Sequence, residues 1–170
     1  MTHQDAQEFI SVHLYYELRC LLGAATVWQA FKDADAGHDV SIAMDSAFVH
    51  ARNLFNFLTP VVQRPRWDIG VSELGPQPQT SAFYDTWREP LHAHVLHTRS
   101  RFTPTNVKNG VRINMQVIAF ANEVLRLWSE LEADPSAAPY AAALKDARER
   151  AMKDAANDAS KHGMKAPIFA

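Results

Sequence analysis

Residues 10–28 read ISVHLYYELRCLLGAATVW. Ile10, Leu14, Leu18, Leu21, Ala25 and Trp28 recur at spacings of three and four, so all six fall on one side of an α-helix. A half-buried strand would need strict alternation, and the run has none. The stretch predicts a long amphipathic helix over residues 5–36. Gly37 reads as its stop, because glycine enters the left-handed conformation at little cost. Asp39 then reads as the cap of a second helix. That helix carries Met44, Phe48, Ala51, Phe55 and Leu58 as its buried stripe and ends before Pro60, which disfavours helix in the residue preceding it.

Outward from these two helices the pattern repeats. Pro60, Pro65, Gly70, Gly75, Pro76 and Pro78 punctuate residues 60–80, which reads as one long loop, tacked to the core by Trp67 and Val71. Helical spacing returns with Phe83, Trp87, Leu91, Val95, Thr98 and Phe102. Pro90 interrupts it and predicts two pieces, 81–88 and 89–102. Ile113, Val117, Phe120, Val124, Leu127 and Leu131 define a helix over 111–132. An alanine-rich helix with the thin stripe Tyr140, Leu144, Ala147 and Ala151 follows, placed at the edge. The expected fold is all-α: an antiparallel bundle of about five to six helices with one long loop. Residues 1–160 form one domain, with a weakly structured tail over 161–170.

Composition sets the bounds on function. A chain of 170 residues can bury a core without staples, and its single cysteine, Cys20, excludes an internal disulfide. The N-terminus shows no basic region followed by an apolar run, and no stretch is apolar enough to span a membrane. The expectation is a cytoplasmic protein with no membrane partner. A formal net charge of −2 excludes a protein that coats nucleic acid non-specifically.

The charges are nevertheless segregated. Residues 90–122 contain no Asp or Glu but hold His92, His94, His97, Arg99, Arg101, Lys108 and Arg112. A second acid-free window, 46–67, holds His50, Arg52, Arg64 and Arg66. Such local imbalance is what an anion site requires, whatever the net charge. With Leu91, Val95 and Thr98 facing the core, His94, His97 and Arg101 share one flank of the helix, and Arg88, His92 and Arg99 share the other. Histidine moves protons near neutral pH, and arginine grips phosphate with a planar fork. Together they suffice for RNA cleavage: a base activates the ribose 2′-OH, and a guanidinium stabilises charge building on phosphorus.

The competing readings are structural. His94 borders the apolar face and fits a hydrogen-bonded core histidine. Arg52, with Asn53 inside an apolar run, fits a salt bridge to Glu17 or Asp45. A metal reading also stands, in which His13 and Glu17 at i, i+4 join His50, although no HExxH, Glu-x-x-His pair or cysteine cluster accompanies them.

The segment SAFVHARNLFNFL, residues 46–58, resembles the second-helix signature of small bacterial proteins of the HEPN superfamily. VLHTRSR, residues 95–101, resembles the histidine-then-arginine segment of the same proteins, and the similarity spans about residues 10–130. The resemblance implies a bundle of four or more helices, often a homodimer with a composite site. Many such proteins are metal-independent endoribonucleases of defence or toxin systems; others are non-cleaving binding modules. The usual motif is arginine, four to six residues, then histidine. Arg88 to His94 meets the spacing, with Glu89 and Pro90 in place of the common polar residue.

Two expectations follow, and a third from the metal reading. The first is a HEPN-like ribonuclease that needs no cofactor, with RNA as partner. His97 is its acid or base and Arg101 its phosphate ligand. His94 and Arg88 stand in reserve, and Arg99, Arg52, Asn53 and His92 bind the anion. The second is a non-catalytic interaction module, an accessory or antitoxin-like partner. The third is a helical-bundle metal-binding protein.

Overall fold

The computed structural model describes residues 1–33, 37–61, 68–96, 107–108, 110–161, 163 and 169. The chain opens with a rod in which α1 (His3–Glu8), a π-helical segment (Phe9–Leu14) and α2 (Tyr15–Asp33) run on without a break. Thr2 starts it with a reciprocal cap: its hydroxyl accepts from Asp5 N, and its own N–H donates to the Asp5 carboxylate. Ile10, Leu14, Leu18, Leu21, Ala25 and Trp28 are all buried, as their spacing predicts.

Next comes α3 (Gly37–Leu58). Gly37 is its first residue rather than a stop for the preceding helix, so Asp39 lies inside the first turn and not at the cap. A first-turn N–H has no intrahelical partner to lose, which makes this a cheap place for glycine. Glu17 meets His50 and Asn53, while Val27 and Phe31 share a groove with Ile42 and Ala43, so α2 and α3 are antiparallel. The long loop contains a 3₁₀ turn, Val71–Leu74, that buries Val71 and Leu74 as plugs. Trp67 lies outside the described residues.

One helix, α4 (Ala82–Leu96), runs through Pro90, where two were expected. Proline deprives the Thr86 carbonyl of its donor. Thr86 is exposed, so water can serve that carbonyl. Phe55 stacks on Tyr84 and Phe48 meets His94, which makes α4 antiparallel to α3. Thr98 and Phe102 lie outside the described residues.

The expected helix over 111–132 starts later. Val107–Lys108 pairs antiparallel with Val111–Arg112, with Gly110 at φ +78° in the turn. A 3₁₀ segment, Ile113–Gln116, then leads into α5 (Val117–Ala133). Its stripe of Ile113, Val117, Phe120, Val124, Leu127 and Leu131 is buried as expected. The last helix, α6 (Ala141–Lys161), is an integral layer and not an edge element. His3 stacks on Tyr140, Tyr15 bonds Asp154, and Arg19 and Asp158 line one groove, so α6 runs along the first rod in the same direction. Leu144, Ala147, Ala151, Ala155 and Ala159 are buried, because a row of methyl groups lets the backbones approach closely. Lys161 ends α6, and Phe169 packs against the core, so the tail is not wholly detached. Among the described residues no helix is long and apolar enough to cross a membrane.

Candidate functional site

The candidate site forms where α3 and α4 face each other. Ser81 caps α4: its hydroxyl accepts from Tyr84 N at 2.9 Å and donates to Glu123 Oε1 on α5 at 2.5 Å. This fixes the first turn of α4 and hence Tyr84. The Tyr84 ring lies flat on Phe55, with centroids 4.3 Å apart and planes 6° apart. Tyr84 is buried, and one helical face then carries Tyr84, Arg88 and His92 at i, i+4 and i+8.

Polar contacts converge on that face. The Tyr84 hydroxyl lies 3.0 Å from His92 Nε2 and donates to Asn56 Oδ1 on α3 at 3.4 Å. The Arg88 guanidinium sits 5.8 Å from the centre of the Tyr84 ring. Arg52, one turn before Asn56 on α3, reaches the same place: its charge and that of Arg88 both act on Tyr84 and His92.

Neither arginine has an ion-pair partner among the described residues. Glu17, one partner expected for Arg52, accepts instead from His50 Nδ1 at 2.8 Å and from Asn53 at 3.1 Å. Asp45, the other, lies 3.0 Å from His94 Nε2. Arg52 Nε is buried with no hydrogen-bond partner. Glu89 points away, exposed, toward Lys108 at 3.9 Å. Asp85 acts on Tyr84 but pairs with neither arginine.

The titrations follow from this. Burial lowers the His92 pKa first, and Arg52 and then Arg88 lower it further, so His92 is held neutral. Burial raises the Tyr84 phenol above its ordinary value, against the opposing pull of Arg88 and Arg52, so it keeps its proton. The result is a neutral base beside two uncompensated cations.

Of the residues singled out by sequence, Arg88, His92 and Arg52 come together here. Asn53 is exposed on the far side of α3, held by Glu17. His94 is a core residue, not a flank residue: it is 5% exposed, edge-on to Phe48 at 4.9 Å. It cannot meet a substrate from there. His97, Arg99 and Arg101 lie outside the described residues. Glu17 and His50 do pair, but among the described residues no group of three or more His, Cys, Asp or Glu side chains is placed to hold a metal ion. His13 turns instead toward Phe9, at 5.8 Å.

Sequence reasoning missed Tyr84 and Asn56. Tyr84 lies four residues before Arg88, a signal available from helical spacing but hidden by its apolar neighbours Phe83 and Trp87. Asn56 lies one turn after Arg52 in the same way.

No family model matches the chain, and no curated protein or solved structure matches it significantly.

Proposed function

We propose that this chain is a HEPN-like endoribonuclease that cleaves RNA without a metal ion, at the α3–α4 site. One observation carries the reading: two half-buried guanidiniums, Arg52 and Arg88, flank a neutral His92 with no carboxylate paired to either. Burying a cation without a partner is costly, and leaving a buried N–H unmade costs about 1–3 kcal/mol. A phosphodiester would relieve both. Its oxygens would accept from Arg52 and Arg88, and its 2′-hydroxyl would stand before His92.

In the reaction His92 takes the 2′-OH proton. The 2′-oxygen bonds to phosphorus as the bond from phosphorus to the 5′-oxygen breaks. The arginines stabilise the charge that grows on the non-bridging oxygens, and the departing 5′-oxygen takes its proton from solvent. The products are a 2′,3′-cyclic phosphate end and a 5′-hydroxyl end. The homodimer and the roles of His97 and Arg101 belong to this proposal on the sequence resemblance alone.

The test is incubation of purified protein with single-stranded RNA and with DNA of the same sequence, in EDTA. RNA is cut to cyclic-phosphate ends and DNA is not. His92→Ala abolishes cutting while the protein stays folded; His97→Ala is run beside it. A folded wild-type protein that leaves RNA intact at every concentration removes the nuclease. Retained RNA binding, lost in Arg52→Gln, would then make the site a binding module.

A further inference from the structure

We propose that Tyr84 is a positioning residue that commits His92 Nε2 to the protein interior and leaves Nδ1 as the nitrogen that exchanges protons with a substrate. The catalytic use of that nitrogen rests on the ribonuclease reading; the proton placement does not. The argument is a count of hydrogens. The phenol has one proton, and burial keeps it there. That proton goes to Asn56 Oδ1, an acceptor that cannot donate. The phenol oxygen, 3.0 Å from His92 Nε2, then offers a lone pair. It can be satisfied only if Nε2 carries the hydrogen. A neutral imidazole has one N–H, so Nδ1 is bare. Among the described residues Nδ1 has no hydrogen-bond partner, and it is not among the sealed polar atoms, so it opens outward.

The relay is rigid where it needs to be. Tyr84 is 1% exposed, held flat against Phe55 and fixed at its backbone by the Ser81 cap. His92 is on the same helix two turns on, so its ring direction is set by the phenol. The two elements that carry the relay, α3 through Asn56 and α4 through Tyr84 and His92, also carry Arg52 and Arg88. The bare nitrogen and the two cations are thereby locked in one frame, which is what proton transfer at a bound phosphodiester requires.

The test is nitrogen NMR on the full chain labelled at histidine. In wild type, neutral His92 shows its proton on Nε2 alone, protected from solvent exchange, with Nδ1 at the shift of an unprotonated ring nitrogen. Tyr84→Phe keeps the ring on Phe55 and removes only the oxygen. The Nε2 proton then exchanges freely. A wild-type proton on Nδ1, or exchange protection that survives Tyr84→Phe, overturns the proposal whether or not RNA is cut. In the cleavage assay Tyr84→Phe lowers kcat at least about 10-fold, part of the 10²–10⁴-fold that a positioned acid–base group contributes, and leaves KM unchanged. A fall in KM-linked affinity with kcat intact would also overturn it. If wild type does not cut RNA, the nuclease reading fails and the NMR result still decides the proton placement.

Discussion

His94 Nε2 lies 3.0 Å from Asp45 Oδ1, and this bond ties α4 to α3 from inside the core. The same imidazole meets the face of Phe48 edge-on. His94 therefore fixes how α4 lies on α3, and so how Arg88 and His92 approach Arg52, without touching a substrate itself. His94→Ala removes a packed ring and leaves Asp45 without this partner. It is expected to cost about 2–4 kcal/mol in urea unfolding. His94→Gln puts an amide N–H where Nε2 stands and should recover about 1 kcal/mol or more of that loss. RNA cutting persists in His94→Gln. Its loss in a fully folded His94→Gln would return His94 to the catalytic group.

Arg52 and Arg88 repel each other across the site, and Arg52 Nε has no acceptor. Arg52→Met keeps the apolar stem and deletes the charge. Stability in thermal unfolding is expected to hold or rise by up to about 1 kcal/mol, because a strained charge is gone. RNA affinity is expected to fall about 10–100-fold, the worth of a charge-assisted hydrogen bond. A structural arginine would behave the opposite way, losing stability and leaving affinity alone.

The bundle was legible because each helix writes its buried face into its own spacing. Ile10 to Trp28 needs no distant residue to be read. What failed were features settled by a neighbour or by solvent. Pro90 stays inside α4 because exposed Thr86 can give its carbonyl to water. Val107 to Arg112 turns back as a hairpin at Gly110 before α5 begins. The alanine face of α6 carries little apolar weight, and only the first rod reveals that close approach is its purpose. Half of the site was legible for the same reason: Arg88 and His92 share a helix. The direction of His94, one turn from Leu91, was decided by Phe48 and Asp45 on another helix. Arg52 joins the site across a helix pair, and spacing along one helix cannot show that.

Packing of α6 supplies a test independent of function. Ala147, Ala151 and Ala155 are buried along the line where α6 runs beside the first rod. Ala151→Met inserts a side chain where the backbones are close. The expected cost is about 1–3 kcal/mol in denaturant unfolding, from strain rather than lost burial. Lys153→Met on the same helix, at a solvent-exposed position, should stay within about 0.5 kcal/mol. Equal effects at both positions would return α6 to the edge of the bundle.

The pH dependence of cleavage carries the sign of the site's electrostatics. His92 faces Arg52 from α3 and Arg88 and Tyr84 from its own helix, and its pKa is lowered from 6.5 by burial and by both cations. Its neutral, proton-accepting form therefore survives below pH 6.5, and the acid limb of kcat/KM, which reports the free enzyme, falls on the acid side of that value. Arg52→Gln and Arg88→Gln each remove one cation, so each moves the limb upward toward 6.5, Arg52→Gln by more because its influence is the larger. Stability obeys the same linkage. A depressed histidine contributes its full share above the unfolded value of 6.5, and that share is lost as pH falls toward the folded pKa. His92→Gln should flatten this part of the stability curve. An acid limb above 6.5, or one that moves downward when an arginine is removed, would mean that a carboxylate and not a pair of cations governs the base.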